Sequence, residues 1–254
     1  MKKKLLIFFK YLTPLFSFIL IIFLQQNYLK SAEAEDKIDY AREEDAIKFS
    51  LDVQRKLPSF GLQNLIADWT FLKYIQYHGD AEAREATGYP LISNFFESIV
   101  DSDPRFVEAV LTLSTANSLF AGRPDQTVNY MDKVLETITP ETSPLAYYVW
   151  IYKGVDQILF LGDLKAAQHS YEMASQWAKR SGALDMAAQT GATAKFLSTN
   201  PDSRKAQLSA WIMVLSTVPD QTTKQFVMGK IKELGANIIV VAPGQVKIEM
   251  PSNS

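Results

Sequence analysis

The chain has no cysteine, which excludes disulfides, thiolate nucleophiles and cysteine-ligated metals together. Histidine is nearly as scarce: His78 and His169 are the only two in 254 residues. An imidazole-based metal site therefore has little to draw on, and neither a metal nor a cofactor is expected. Glycine and proline, eleven of each, are few for an all-β chain of this length, which would need a tight turn at every hairpin. The glycines form neither a G-x-G-x-x-G nor a P-loop, and no G-x-S-x-G elbow is present. "AGRPD" and "LGDLK" read instead as turns between helices. No enzyme activity is expected.

A large charge of either sign is lacking too, but the net −2 conceals an asymmetry. Residues 1–30 hold Lys2, Lys3, Lys4, Lys10 and Lys30 and no acid, so the remainder carries −7. An acidic body is repelled by phosphate backbones over roughly a Debye length of about 8 Å. Nucleic acid is not an expected partner.

What the chain does have is apolar surface, 47% of its residues, and long stretches of helix-favouring Ala, Leu, Gln, Lys and Glu. Residues 1–30 open on "KKK" and run apolar for 20 residues from Leu5 to Leu24, the length that crosses a bilayer core of about 30 Å as helix. Lys10 is close enough to the basic end to snorkel, and Pro14 kinks a spanning helix without forbidding it. An uncleaved anchor is the preferred reading. A cleaved signal is the alternative, with Ala32-Glu33-Ala34 as its small-x-small site. Either way the lysines stay cytoplasmic and the body lies on the other side, in a periplasm or a thylakoid lumen.

Residues 31–57 are charged with sparse apolar positions, and read as a helical stalk or as the first helix of the body. Residues 58–236 read as helices joined in pairs. In the first, Leu62, Leu65, Ile66, Trp69, Leu72 and Ile75 recur at three- and four-residue spacing, which predicts the buried face. Tyr74 and Tyr77 fall at other angles and are expected to face a groove, with Tyr148 and Tyr152 a similar pair further on. "AEAREATG" (81–88) reads as a connection. "HGDAEAREATGY" gathers His78, Asp80, Glu82, Arg84 and Glu85, and is read as solvated charge rather than as an acid–base site. Residues 237–254 carry two β-rich runs around Pro243-Gly244, a turn dipeptide, and read as a tail with a short hairpin.

One local pattern repeats. Phe120-x-Gly122 and Phe160-x-Gly162 lie 40 residues apart. After the first come Thr127, Met131 and Val134, and after the second Ala167, Tyr171 and Ala174, at the same offsets on one helix face. Small, large, small is a packing pattern for paired helices.

"GDLKAAQHSYEMA" resembles a tetratricopeptide repeat. Gly162, Ala167, Tyr171 and Ala174 match the small, small, aromatic and small positions of that family's second half-repeat. Pro104, Pro140 and Pro219 resemble its repeat-ending proline, and Phe96, Ile99 and Pro104 fit an earlier unit. The resemblance spans residues 58–235 as four degenerate units, with a 40-residue step where the family's usual period is about 34. "ADWTFLKYIQYHGD" with "GYPLISNFFESIVDSDPRF" and "AGRPDQ" is similar to membrane-anchored bacterial proteins of this type, some of which assist assembly of membrane complexes. The resemblance implies an all-α, right-handed solenoid of about four helical hairpins plus a capping helix, preceded by a single transmembrane helix. Its concave surface would bind a protein segment of a membrane complex, making the protein a membrane-tethered scaffold. A helical binding module for a small apolar ligand, such as a pigment or lipid, is the alternative.

Overall fold

A computed structural model describes residues 17–18, 20–26, 39–199, 201–217, 221–242 and 245–249. The chain divides into two compact units, Met1–Glu43 and Glu44–Ser254. In the first, residues 20–26 are helical with exposed side chains. Most of the expected anchor lies outside the described residues, as do residues 31–38, Pro219 and the Pro243-Gly244 turn. No helix among the described residues is long and apolar enough to cross a membrane.

From Tyr40 onward the elements are α1 (Tyr40–Lys56), α2 (Gln63–Gly79), α3 (Ala81–Thr87), α4 (Ile92–Ser102), α5 (Val107–Leu119), α6 (Pro124–Thr137), α7 (Ala146–Leu159), α8 (Leu164–Arg180), α9 (Leu184–Ser198), α10 (Ser203–Thr217) and α11 (Gln221–Glu233). An antiparallel hairpin follows, β1 (Asn237–Ala242) with β2 (Gln245–Glu249), pairing Asn237 with Glu249. The fold class is all-α, and the arrangement is compatible with a helical repeat. The stretch read as a connection, residues 81–87, is instead a helix: Asp80 accepts a hydrogen bond from the Ala83 N–H at 3.0 Å, an N-cap that the "D-x-x" spacing supplies. Gly88, at φ +74°, ends it by donating to the Arg84 carbonyl.

The second half of α1 belongs to the body. Leu51 is buried, and Gln54 Nε2 donates to Thr70 Oγ1 at 2.6 Å and to Ser98 Oγ at 3.1 Å, binding α1 to α2 and α4 at once. Glu44 accepts from the Tyr77 hydroxyl and pairs with Arg84.

Hairpins α5–α6 and α7–α8 are built alike. The Phe120 and Ala121 N–H groups both donate to the Ala116 carbonyl, and Arg123 N–H to Asn117; forty residues on, Phe160 and Leu161 donate to Asp156, and Asp163 to Gln157. The turn glycines sit in the left-handed region, Gly122 at φ +64° and Gly162 at φ +67°, where a side chain would strain the backbone. Past these turns, Thr127, Met131, Val134, Ala167, Tyr171 and Ala174 are all buried. The 40-residue pattern is thus repeated in the backbone as well as in the side chains.

The last expected hairpin opens. Helix α9 packs closely on α8, aided by small residues: the Ser175 hydroxyl donates to the Ala187 carbonyl at 2.7 Å. Helix α10 instead crosses to α7 and α11. Leu208 and Trp211 of α10 form a second small core with Val227, Ile231 and Ala236, against which Leu119, Leu159 and Phe160 pack.

Candidate functional site

Where α9 and α10 part, they leave a cleft of about 380 Å³. Its floor is α7 and α8, through Tyr148, Ile151 and Tyr171. Met186, Thr190 and Phe196 line one side, Ala206, Ala210 and Met213 the other. Tyr148 is half-buried against Tyr147, ring centroids 4.5 Å apart. The Tyr171 hydroxyl reaches the Met213 sulfur at 3.9 Å, and burial pushes its phenol well above the usual range.

Met213 also borders a second space, enclosed by Tyr152, Asp156, Phe160 and Trp211, of about 30 Å³, room for roughly one water. Asp156 is buried here in the middle of the apolar run "YYVWIYKGVDQILFLG". Burial pushes its carboxyl up to about 8, against a smaller opposing effect of its hydrogen bond with Ser118.

Ser118 Oγ hydrogen-bonds to Asp156 Oδ2 at 2.8 Å and to Thr127 Oγ1 at 2.9 Å. Thr127 Oγ1 in turn reaches the Arg123 carbonyl at 3.1 Å and accepts from Asn117 Nδ2 at 3.0 Å. These hydrogen bonds tie α7 to the α5–α6 hairpin.

The expected groove residues divide. Tyr148 and Tyr152 line the cleft and the adjoining space. Tyr74 and Tyr77 do not face a groove; they are 1% and 4% exposed, and that expectation is corrected, together with the placement of Trp69, which is 57% exposed rather than in the core. Leu62, Leu65, Leu72 and Ile75 are also exposed. Helix α2 is apolar on two sides, and the side that α4 covers is Ala67, Thr70, Tyr74 and Tyr77, where small Ala67 admits the neighbouring helix. The Tyr77 hydroxyl donates to Glu44 at 2.8 Å and accepts from Leu91 N–H at 3.2 Å, and the Arg84 guanidinium lies 3.6 Å from its ring. Its polar end is satisfied inside, so burial carries little penalty.

The charges of "HGDAEAREATGY" do not converge. Asp80 caps α3, Arg84 is buried on Glu44 at 3.1 Å, and the His78 ring stacks among Tyr74, Tyr89 and Phe120. His169 is exposed at the edge of Trp150. Among the described residues no cluster of His, Asp and Glu is arranged to hold a metal. Met186, Phe196, Met213 and Asp156 were not singled out in the sequence. A lone acid inside an apolar helix is the one signal that could have found Asp156. No protein-family model matches the chain, and neither a curated protein nor a solved structure matches it.

Proposed function

We propose that the protein is a membrane-tethered interaction scaffold of the tetratricopeptide-repeat type, and that the α7–α9–α10 cleft holds an apolar side chain or short segment of a membrane-complex subunit during assembly. The observation that carries this is the opened last hairpin. Two helices that the chain supplies as neighbours part around a half-apolar cleft instead of closing on each other. Two flexible thioethers, Met186 and Met213, line the opposite walls, side chains that adapt to differing partners. The repeated turn geometry at Gly122 and Gly162 supports the family reading, and the apolar run behind three lysines supports the tether, with the body on the non-cytoplasmic face. Tethering would raise the local concentration of the body at its client, so a modest affinity suffices.

The test is a C-terminally tagged full chain, extracted gently from native membranes, beside a Met186→Lys/Met213→Lys variant. Stoichiometric subunits of one membrane complex should accompany the wild type, with Met1 or Lys2 still at its N-terminus. The variant should keep its level and helicity but lose them. Equal recovery by both forms would sink the cleft assignment, and a bait beginning at Glu35 would sink the tether.

A second reading is favoured by one number. A cleft of about 380 Å³ falls at the lower end of small-ligand sites, about 300–1,000 Å³. A small apolar ligand would then occupy it, and a lipid or chromophore copurifying in place of protein would establish that.

A further inference from the structure

Helices α1 and α2 leave apolar side chains uncovered on a scale found nowhere else among the described residues of the body. On α2 and its N-cap, Leu62, Leu65, Trp69 and Leu72 fall on one stripe at three- and four-residue spacing and all are exposed; on α1 and the residue after it, Phe49, Val53 and Leu57 do the same at four-residue steps. Val53, Leu57 and Ile66 line one shallow depression, which joins the two stripes into a single face. At its end, Phe60 is 86% exposed and adopts φ +50°, a left-handed backbone that is uncommon for an aromatic residue and strained. The turn holds a large apolar ring out into solvent at a cost in backbone energy.

We infer that this face seats on the lipid interface of the membrane that the N-terminal run enters, so that the body lies against the bilayer instead of standing off it. The inference rests on the tether proposed above. Three observations select lipid as the occupant. The face is built from the first two helices of the body, the ones nearest in sequence to the apolar run. Fully extended, the chain between Leu24 and Tyr40 spans no more than about 60 Å, so a tethered body is never far from the surface. And the composition is that of an interfacial helix pair: aliphatics flanked by Phe49, Phe60 and Trp69, aromatics that favour the headgroup boundary. Lys56, just before Phe60 in sequence, is exposed. Lys73 sits 6.0 Å from the Trp69 ring and donates to Ser50 Oγ at 3.3 Å, tying α2 to α1 beside this face.

The absence of cysteine makes the test direct. Phe60→Cys, Leu65→Cys and, as a control on the exposed side of α8, Glu172→Cys are each labelled with an environment-sensitive fluorophore in the full chain. Each is reconstituted into vesicles of phosphatidylcholine and phosphatidylglycerol carrying doxyl-labelled acyl chains. All three sites are solvent-exposed, and unchanged helicity by circular dichroism verifies the fold. The expected result is a blue-shifted emission at 60 and 65 that is lost to the doxyl lipid, with the label at 172 unaffected. Protein that floats with the vesicles but is unquenched at 60 and 65 overturns the lipid face and leaves the tether standing. So does a disulfide formed between two copies when the unlabelled Phe60→Cys variant in vesicles is exposed to a mild oxidant, which would make the face a dimer surface. A chain that fails to float with vesicles at all removes the tether, and this inference with it.

Discussion

Asp156 is the residue whose ionisation matters most to the body. A carboxyl held up to about 8 in the folded chain and near 3.9 in the unfolded one keeps a proton on folding that the unfolded state gives up. Its stabilising effect is therefore complete below the unfolded value and is lost as pH rises through about 8. The unfolding free energy from denaturant melts should fall between pH 5 and about pH 8, by up to about 1.4 kcal/mol per pH unit, and level off above that. Asp156→Asn keeps an amide oxygen to accept from Ser118 and should flatten that slope; a slope unchanged in the variant would place the titration elsewhere. Gly154 is a second single-residue test. A Cβ there would lie 2.8 Å from the Tyr171 ring and 3.5 Å from the Ser170 Cβ, where α7 meets α8. Gly154→Ala should cost about 1–3 kcal/mol by overpacking, read as a lowered thermal midpoint.

Helix α2 shows what the spacing of apolar residues can and cannot say. Both of its long sides carry large apolar groups, so periodicity predicts a helix with an apolar face but leaves two candidates for the buried one. The stability ledger of the two is expected to be opposite to their hydrophobicity. Tyr74→Ala should cost about 3–5 kcal/mol, as for other large buried aromatics, whereas Trp69→Ala should change stability by no more than about 0.5 kcal/mol. Urea melts of the two variants decide the matter, and a larger loss for Trp69 would mean that α2 is rotated in solution. The hairpins, by contrast, were readable. Gly122 and Gly162 sit where a chain must turn with positive φ, and the residues that follow at fixed offsets share one helix face, which is buried.

For the molecule as a whole, the body from Glu44 onward holds its own cores and its own polar chains, so it should fold without the apolar run. A chain comprising residues 31–254 is expected to keep a helical circular-dichroism spectrum and a cooperative melt. A featureless spectrum would mean that the folded body begins upstream of Ser31. Its exposed α1–α2 face should make this truncated chain bind vesicles or self-associate more than a Phe60→Ser/Leu65→Ser variant, measured by sedimentation with and without lipid.

Some of this protein was determined by local chemistry alone: that it is helical, where the two alike hairpins turn, that it has no thiol chemistry, and that its first residues differ in kind from the rest. Those follow from propensity, spacing and composition, which act within a few residues of the chain. Three things were decided only by tertiary structure. Tyr74 and Tyr77 are buried because Ala67 lets α4 approach that side of α2. The Asp156 carboxyl is pushed up because tertiary packing buries it, and α10 leaves α9 because Trp211 finds Phe160, Val227 and Ile231. Each depends on contacts between residues distant in sequence, and a helix that is apolar on more than one side does not carry the choice between them.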